Sequence, residues 1–118
     1  MKKILILVLL ATATGTFAIN PNVYYAYSQL SKASTLKYVS EYVNAGSSQT
    51  NELETVFLET KQMFKSAVKR ENGVSFDDAI DYNLKAVKSI LSRSQYKKYL
   101  TMISSSIKNP NEGLLAIE

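Results

Sequence analysis

The residues of this chain that could do chemistry are few in kind. There is no histidine and no cysteine. That removes the usual zinc and copper ligands, thiol nucleophiles and histidine-based triads. Carboxylates, lysines and tyrosines remain. The densest carboxylate group is Asp77, Asp78 and Asp81. Asp77 and Asp81 are four apart and share a helix face, a spacing that would suit a cation site or an acid/base pair. The same residues also suit a helix start, with Asp81 forming an i,i+4 pair to Lys85. The spacing is not that of an EF-hand loop. Ser104-Ser105-Ser106 has no histidine base to activate it, and small polar residues near a helix end are its ordinary reading. No constellation supports catalysis, metal binding or a cofactor, so the expectation is a non-enzymatic protein.

Tyrosine is the dominant aromatic, with 8 copies and no tryptophan. Tyr24, Tyr25, Tyr27, Tyr38 and Tyr42 fall on several faces of one helical stretch, so they cannot all be core. Tyrosine gives contact area at low entropic cost. Tyr24, Tyr25, Tyr38 and Tyr42 are therefore the candidate binding surface for a protein or peptide partner. Lys97 and Lys98, flanked by Tyr96 and Tyr99, imitate a single-strand nucleic-acid patch. There the tyrosines lie on the inward stripe and the lysines outward, which is an ordinary solvated helix face. No nucleic-acid partner is expected.

The N-terminus indicates the compartment. Lys2 and Lys3 precede an apolar run from Ile4 to Ala11, and small residues lead to Thr16-Phe17-Ala18. This is the layout of a secretory signal peptide cleaved after Ala18. The competing reading, a membrane anchor, needs about 20 apolar residues. The strongly apolar stretch here is much shorter, so no stable membrane insertion is expected after cleavage. Lipoprotein acylation is excluded by the lack of cysteine. The expected location is the bacterial periplasm or the exterior.

Residues 19–118 then form one domain. Without Lys2 and Lys3 it carries 12 basic and 10 acidic residues, interspersed along the chain. No disulfide can staple it. Four glycines and two prolines suit helices better than a turn-rich β protein.

The elements that must position these side chains read as helices throughout. Val23, Ala26, Tyr27, Leu30, Ala33, Leu36, Val39 and Val43 form one stripe over residues 22–44. Ser34-Thr35 is its weak spot, and Gly46 is placed to end it in the left-handed conformation. Gly46 to Thr50 reads as a connector. Asn51 with Glu54 then caps a helix over 51–71, whose stripe is Leu53, Val56, Phe57, Thr60, Met63, Phe64, Ala67 and Val68. Ser75 with Asp78 caps a third helix over 76–91. Ser92 with Gln95 caps a fourth over 93–108, with Leu91 and Tyr96 as a hydrophobic staple. Residues 109–118 form a tail whose Leu114, Leu115 and Ile117 are available to dock. The expected architecture is an all-α compact bundle of about four helices, arranged as two hairpins.

Leu91-Ser92-Arg93-Ser94-Gln95, running on into Tyr96-Lys97-Lys98-Tyr99-Leu100, resembles the Leu-Thr-x-x-Gln motif of the Spy/CpxP-like periplasmic stress proteins. Serine stands where the family has threonine. The family's second copy would fall best on Val74-Ser75-Phe76-Asp77-Asp78, which lacks the glutamine. The match covers about ten residues, and its carried-over positions are Leu91, Ser92 and Gln95. The resemblance implies a small exported helical protein without disulfides. It also implies ATP-independent chaperone action or inhibition of envelope-stress signalling, often as a cradle-shaped homodimer. The expected function is partner binding in the cell envelope, chaperone-like or stress-related. A dedicated immunity or inhibitor protein that blocks one enzyme fits the same features.

Overall fold

The computed structural model describes residues 21–108, and all their regular structure is helical. The expected signal segment 1–18 and the expected tail 109–118 lie outside the described residues. Among the described residues five helices follow one another: α1 (Pro21–Gln29), α2 (Ala33–Val43), α3 (Ser47–Lys69), α4 (Phe76–Ile90) and α5 (Arg93–Lys108). The count is five, not four, because the stretch 22–44 is two helices. The break falls at Leu30–Lys32, just before the expected weak spot at Ser34-Thr35.

Local chemistry explains the break. Ser28 Oγ donates to Tyr25 O at 3.1 Å and Ser31 Oγ to Ser28 O at 3.4 Å. Such hydroxyls offer helix carbonyls an alternative partner. Leu30 N–H and Lys32 N–H bond only three residues back, to Tyr27 O and Gln29 O. Lys32 is extended (φ −74°, ψ 142°), and its carbonyl starts α2 by accepting from Leu36 N–H. The apolar stripe nevertheless survives the break. Ala26, Tyr27, Leu30, Val39 and Val43 are all buried, and only Ala33 is left exposed.

The α2–α3 junction also differs from the expectation. Asn44, not Gly46, takes the left-handed conformation (φ 60°, ψ 49°). Asn44 N–H donates to Glu41 O at 3.2 Å and Ala45 N–H to Ser40 O at 2.8 Å, which satisfies the last carbonyls of α2. Gly46 is instead the N-cap of α3, so this helix starts four residues before Asn51 and Asn51–Glu54 is internal to it. The far end of α3 repeats the same device. Arg70 is left-handed (φ 58°), with Arg70 N–H on Ala67 O and Glu71 N–H on Ser66 O. Asn72 and Gly73 also have positive φ, so three residues of this turn are left-handed.

The starts of α4 and α5 are as the sequence indicates. Ser75 Oγ accepts from Asp78 N–H, and Asp78 Oδ2 accepts from Ser75 N–H, both at 3.0 Å. Ser92 and Gln95 make the same reciprocal pair at 2.8 and 3.2 Å. Two residues, the extended Leu91 and the cap Ser92, turn α4 into α5.

α3 and α4 are the principal packed pair. α1 and α2 both lie against α3 and α5, and α4 touches α5. The core between them contains Leu30, Val39, Val43, Leu53, Phe57, Phe64, Ala79, Val87, Tyr99 and Ile103. Of the stripe expected on α3, Val68 alone is exposed (50 %). It sits in the last turn, at the end of that stripe.

Candidate functional site

Ser92 and Gln95, the polar residues of the motif singled out in the sequence, lie where four helix ends meet. Gln95 Oε1 accepts from Ser92 N–H at 2.8 Å, as a cap requires. Its amide nitrogen goes elsewhere. Nε2 donates to Asn44 O, the carbonyl just beyond α2, and to Gln49 Oε1, both at 3.1 Å. Gln49 occupies the equivalent position of α3. Its Oε1 accepts from Gly46 N–H at 2.9 Å, and its Nε2 donates to Gln95 Oε1 at 2.9 Å and to Ile90 O at 3.2 Å.

The two carboxamides therefore face each other as a reciprocal pair. Each oxygen accepts twice and each nitrogen donates twice, so their full capacity is used. The pair ties the N-termini of α3 and α5 to the C-termini of α2 and α4. Leu91 is buried beneath it and belongs to the apolar core.

Beside this clasp lies a shallow recess of about 380 Å³ lined by Val43, Asn44, Ser92, Ser94, Gln95 and Lys98. Gln49 and Asn44 were missed in the sequence because Gly46 has no side chain to advertise a cap. The usable signal was spacing: Gly46-x-x-Gln49 repeats Ser92-x-x-Gln95.

A second polar unit is wholly buried. Tyr99 Oη donates to Asn83 Oδ1 at 2.6 Å, Asn83 Nδ2 donates to Thr60 Oγ1 at 3.1 Å, and Thr60 Oγ1 donates to Val56 O at 2.8 Å. This chain of bonds crosses α5, α4 and α3. Burial above all, with the Tyr27 hydroxyl adding, pushes the Tyr99 phenol well above its ordinary value, against the opposing pull of the Asn83 bond. Burial also raises Tyr27, with Tyr96 adding, and it raises Tyr96 itself. Tyr82 is pushed up to about 12, first by burial and then by the hydrogen bond it donates to Glu59 and by that carboxylate's charge. These phenols are neutral structural groups at physiological pH.

The four candidate surface tyrosines separate into two pairs. Tyr24 and Tyr25 meet edge-on at 5.7 Å on α1. Tyr24 packs edge-on against Phe64 and Phe76, at 5.7 and 6.2 Å, and is partly buried against the core. Tyr25 is 53 % exposed. On α2, Tyr38 is half-buried and stacks on Tyr42 at 6.0 Å, leaving Tyr42 41 % exposed. Ring contacts run within each pair and not between them.

The carboxylates take the positions their capping roles require. Asp78 caps α4, and Asp81 pairs with Lys85 at 3.1 Å on an exposed face. An exposed pair of this kind contributes about 0–1 kcal/mol. Among the described residues, no group of three or more aspartates and glutamates is gathered in a metal-holding arrangement. No described helix is long and apolar enough to cross a membrane.

No protein-family model, curated protein or solved structure matches this chain.

Proposed function

We propose that this is an exported, non-enzymatic helical protein of the bacterial cell envelope that holds protein or peptide partners by surface contact, in a chaperone-like manner. The observation that carries the reading is the set of large apolar side chains left at the surface: Tyr25, Tyr42, Leu58 and Val68, each 41–53 % exposed. Large rings and aliphatics in water are the groups that gain most from a partner's apolar surface. The export reading is supported by Lys2, Lys3 and the apolar run that follows them.

The Spy/CpxP-like reading gains a second glutamine box. Gly46-Ser47-Ser48-Gln49 serves α3 as Ser92-Arg93-Ser94-Gln95 serves α5, and the two glutamines pair. It supplies the glutamine that the Ser75 segment lacks, with Ala45 and Gly46 where the motif has leucine and threonine.

The experiment is suppression of aggregation. The purified chain is mixed with an unfolding client protein at increasing molar ratio, and light scattering is followed. Suppression at or near equimolar ratio is expected. Capture of one stoichiometric partner from an envelope extract, without suppression, would identify a dedicated inhibitor or immunity protein instead. A chain that gives no suppression at several-fold excess and captures no partner would overturn partner binding altogether.

A further inference from the structure

Along the sequence the charges are interspersed, but the fold sorts them. α3 and α4 carry six acidic residues against five basic ones. α5 carries Arg93, Lys97, Lys98 and Lys108 and no acidic residue. The helices packed beside it do little to oppose this. α1 has no charged residue, and Glu41 is the one carboxylate of α2. Among the described residues, no carboxylate lies within ion-pair distance of those four α5 side chains; the ion pair present is Lys85–Asp81 on α4.

Arg93 opposes the preference of its own helix. The N-terminus of a helix favours anions. α4 fills its first turn with Asp77 and Asp78, whereas α5 has no acid there and opens on Arg93. The helix dipole therefore adds to the positive charge of Arg93, Lys97 and Lys98 rather than offsetting it. The basic run Lys61, Lys65 and Lys69 of α3 differs in both respects. It runs toward the helix C-terminus, where cations are favoured, and α3 packs mainly on α4, which brings three aspartates.

Every exposed side chain of α5 is polar. Helical spacing puts Arg93, Lys97, Ser104 and Lys108 within about 60° of arc, as one ridge about 22 Å long. Lys98 leans from this ridge towards α2, onto the wall of the recess it shares with Val43 and Asn44. Arg93 and Lys97 stand about 6 Å apart along the axis. Alternate side chains of an extended chain repeat at nearly that spacing, about 6.6 Å. Between Lys97 and Lys108 the exposed hydroxyls of Thr101, Ser104 and Ser105 are available to a backbone laid along the ridge.

We propose that the α5 ridge binds an extended acidic segment of the partner protein, about seven residues long, with carboxylates at alternate positions. The proposal rests on the partner-binding function above and gives it a location and a ligand class. Charge complementarity selects the occupant: four cations and the positive end of a helix dipole, with no carboxylate of the chain paired to them, call for an anionic ligand. A lipid surface fits less well. A helix that lies on a membrane offers it an apolar face, and the apolar face of α5 is spent on the core, where Tyr99, Met102 and Ile103 are buried. Attraction to a field of one sign also speeds encounter and fades with salt.

The test uses the full chain and a labelled peptide in which glutamate and alanine alternate; the same peptide with lysine for glutamate is the control. The glutamate peptide should bind at low salt and the lysine peptide should not. Affinity should fall at least tenfold between about 0.01 M and about 1 M salt, as the Debye length shrinks from about 30 Å to about 3 Å. The triple variant Arg93→Gln, Lys97→Gln, Lys98→Gln should lose at least tenfold. The triple variant Lys61→Gln, Lys65→Gln, Lys69→Gln has the same net charge and should lose less than twofold. Equal losses would report net charge alone and overturn the proposal. On the wild type, the amide chemical shifts moved by the peptide should cluster on α5. Shifts centred on α3, or no binding at low salt, overturn the proposal, and these measurements decide alone if a variant does not fold. So does a wild-type chain that sediments with phosphatidylglycerol vesicles and is not released by excess glutamate peptide, which would make a membrane the occupant. The aggregation assay is read separately. Suppression left unchanged in the α5 triple variant keeps the proposed function and overturns the ridge. A ridge that takes the peptide, in a chain that neither suppresses aggregation nor captures a partner, upholds the ridge and overturns the proposed function.

Discussion

Replacing Gln95 by Glu separates two accounts of the motif glutamine. If Gln95 is a helix cap and nothing more, glutamate should serve at least as well. Its carboxylate accepts from Ser92 N–H, and a negative charge suits the first turn of α5. The clasp requires more than an acceptor. Gln95 Nε2 gives one hydrogen to Asn44 O and one to Gln49 Oε1, each at 3.1 Å. Glutamate has no hydrogen to give and faces both oxygens with a charge. Two lost bonds at about 1 kcal/mol each, with a further repulsion partly screened by solvent, give a destabilisation of about 2–3 kcal/mol at neutral pH. For a domain of this size that lowers Tm by about 10–20 °C. The carbonyl oxygens hold the new carboxyl above its unfolded pKa. The penalty is therefore present at neutral pH and shrinks as pH falls through the carboxylate range and the group regains a donor. The assay is thermal and urea denaturation followed by circular dichroism, with Gln49→Ala, Gln95→Ala and the double variant alongside. The cycle should return a coupling of about 1–2 kcal/mol from the two amide–amide bonds. A Gln95→Glu chain as stable as the wild type, or a cycle with no coupling, refutes the clasp and reduces the motif to a cap.

Two further outcomes follow from the buried phenols. Tyr99→Phe leaves the Asn83 carbonyl unpaired in a fully buried site and should cost about 1–3 kcal/mol in urea denaturation; a change within experimental error would show that Asn83 finds another donor. Because Tyr27, Tyr82, Tyr96 and Tyr99 all hold their protons more tightly when folded, the stability they contribute is complete below the unfolded phenol value of about 10 and is lost as pH rises towards and beyond about 12. Helix content and tyrosinate absorbance should therefore change together in strong alkali, and complete ionisation of all 8 tyrosines with the helices intact would contradict this.

What the sequence disclosed is what local chemistry decides. The starts of α4 and α5 were legible because each capping box is closed within four residues, at Ser75–Asp78 and Ser92–Gln95. The start of α3 was misplaced because glycine carries only half of such a box, while Asn51 and Glu54 offered a complete one inside the helix. The break at Leu30–Lys32 stayed hidden because the apolar stripe keeps its steps of three and four through it. Periodicity reports which residues are buried and is silent on whether the backbone between them is continuous. The clasp was beyond reach for a different reason. Gln49 and Gln95 are 46 residues apart, and each read alone is an ordinary third residue of a helix. The Asn83–Tyr99 and Asn83–Thr60 bonds likewise join different helices, and an asparagine on a helix gives no sign that it is core.

The same polar bonds set the two halves of the molecule apart energetically. In α3, α4 and α5 the buried hydroxyls and amides are paired, and the clasp fixes the ends of α3 and α5 to each other. A fully satisfied buried network costs little and imposes one arrangement, since any shift leaves a donor or acceptor stranded. Among the described residues, Gln29 on α1 and Thr35 and Ser40 on α2 hold buried side-chain atoms with no protein hydrogen-bond partner. The buried Ala26, Tyr27, Leu30, Val39 and Val43 hold these two helices to the core, with Asn22 Nδ2 donating to Ile107 O of α5 at 3.2 Å and Gln95 Nε2 to Asn44 O at 3.1 Å. The half with these unbonded atoms is also the one that carries the exposed Tyr25 and the stacked Tyr38–Tyr42 pair, so apolar surface and unpaired polar groups coincide there.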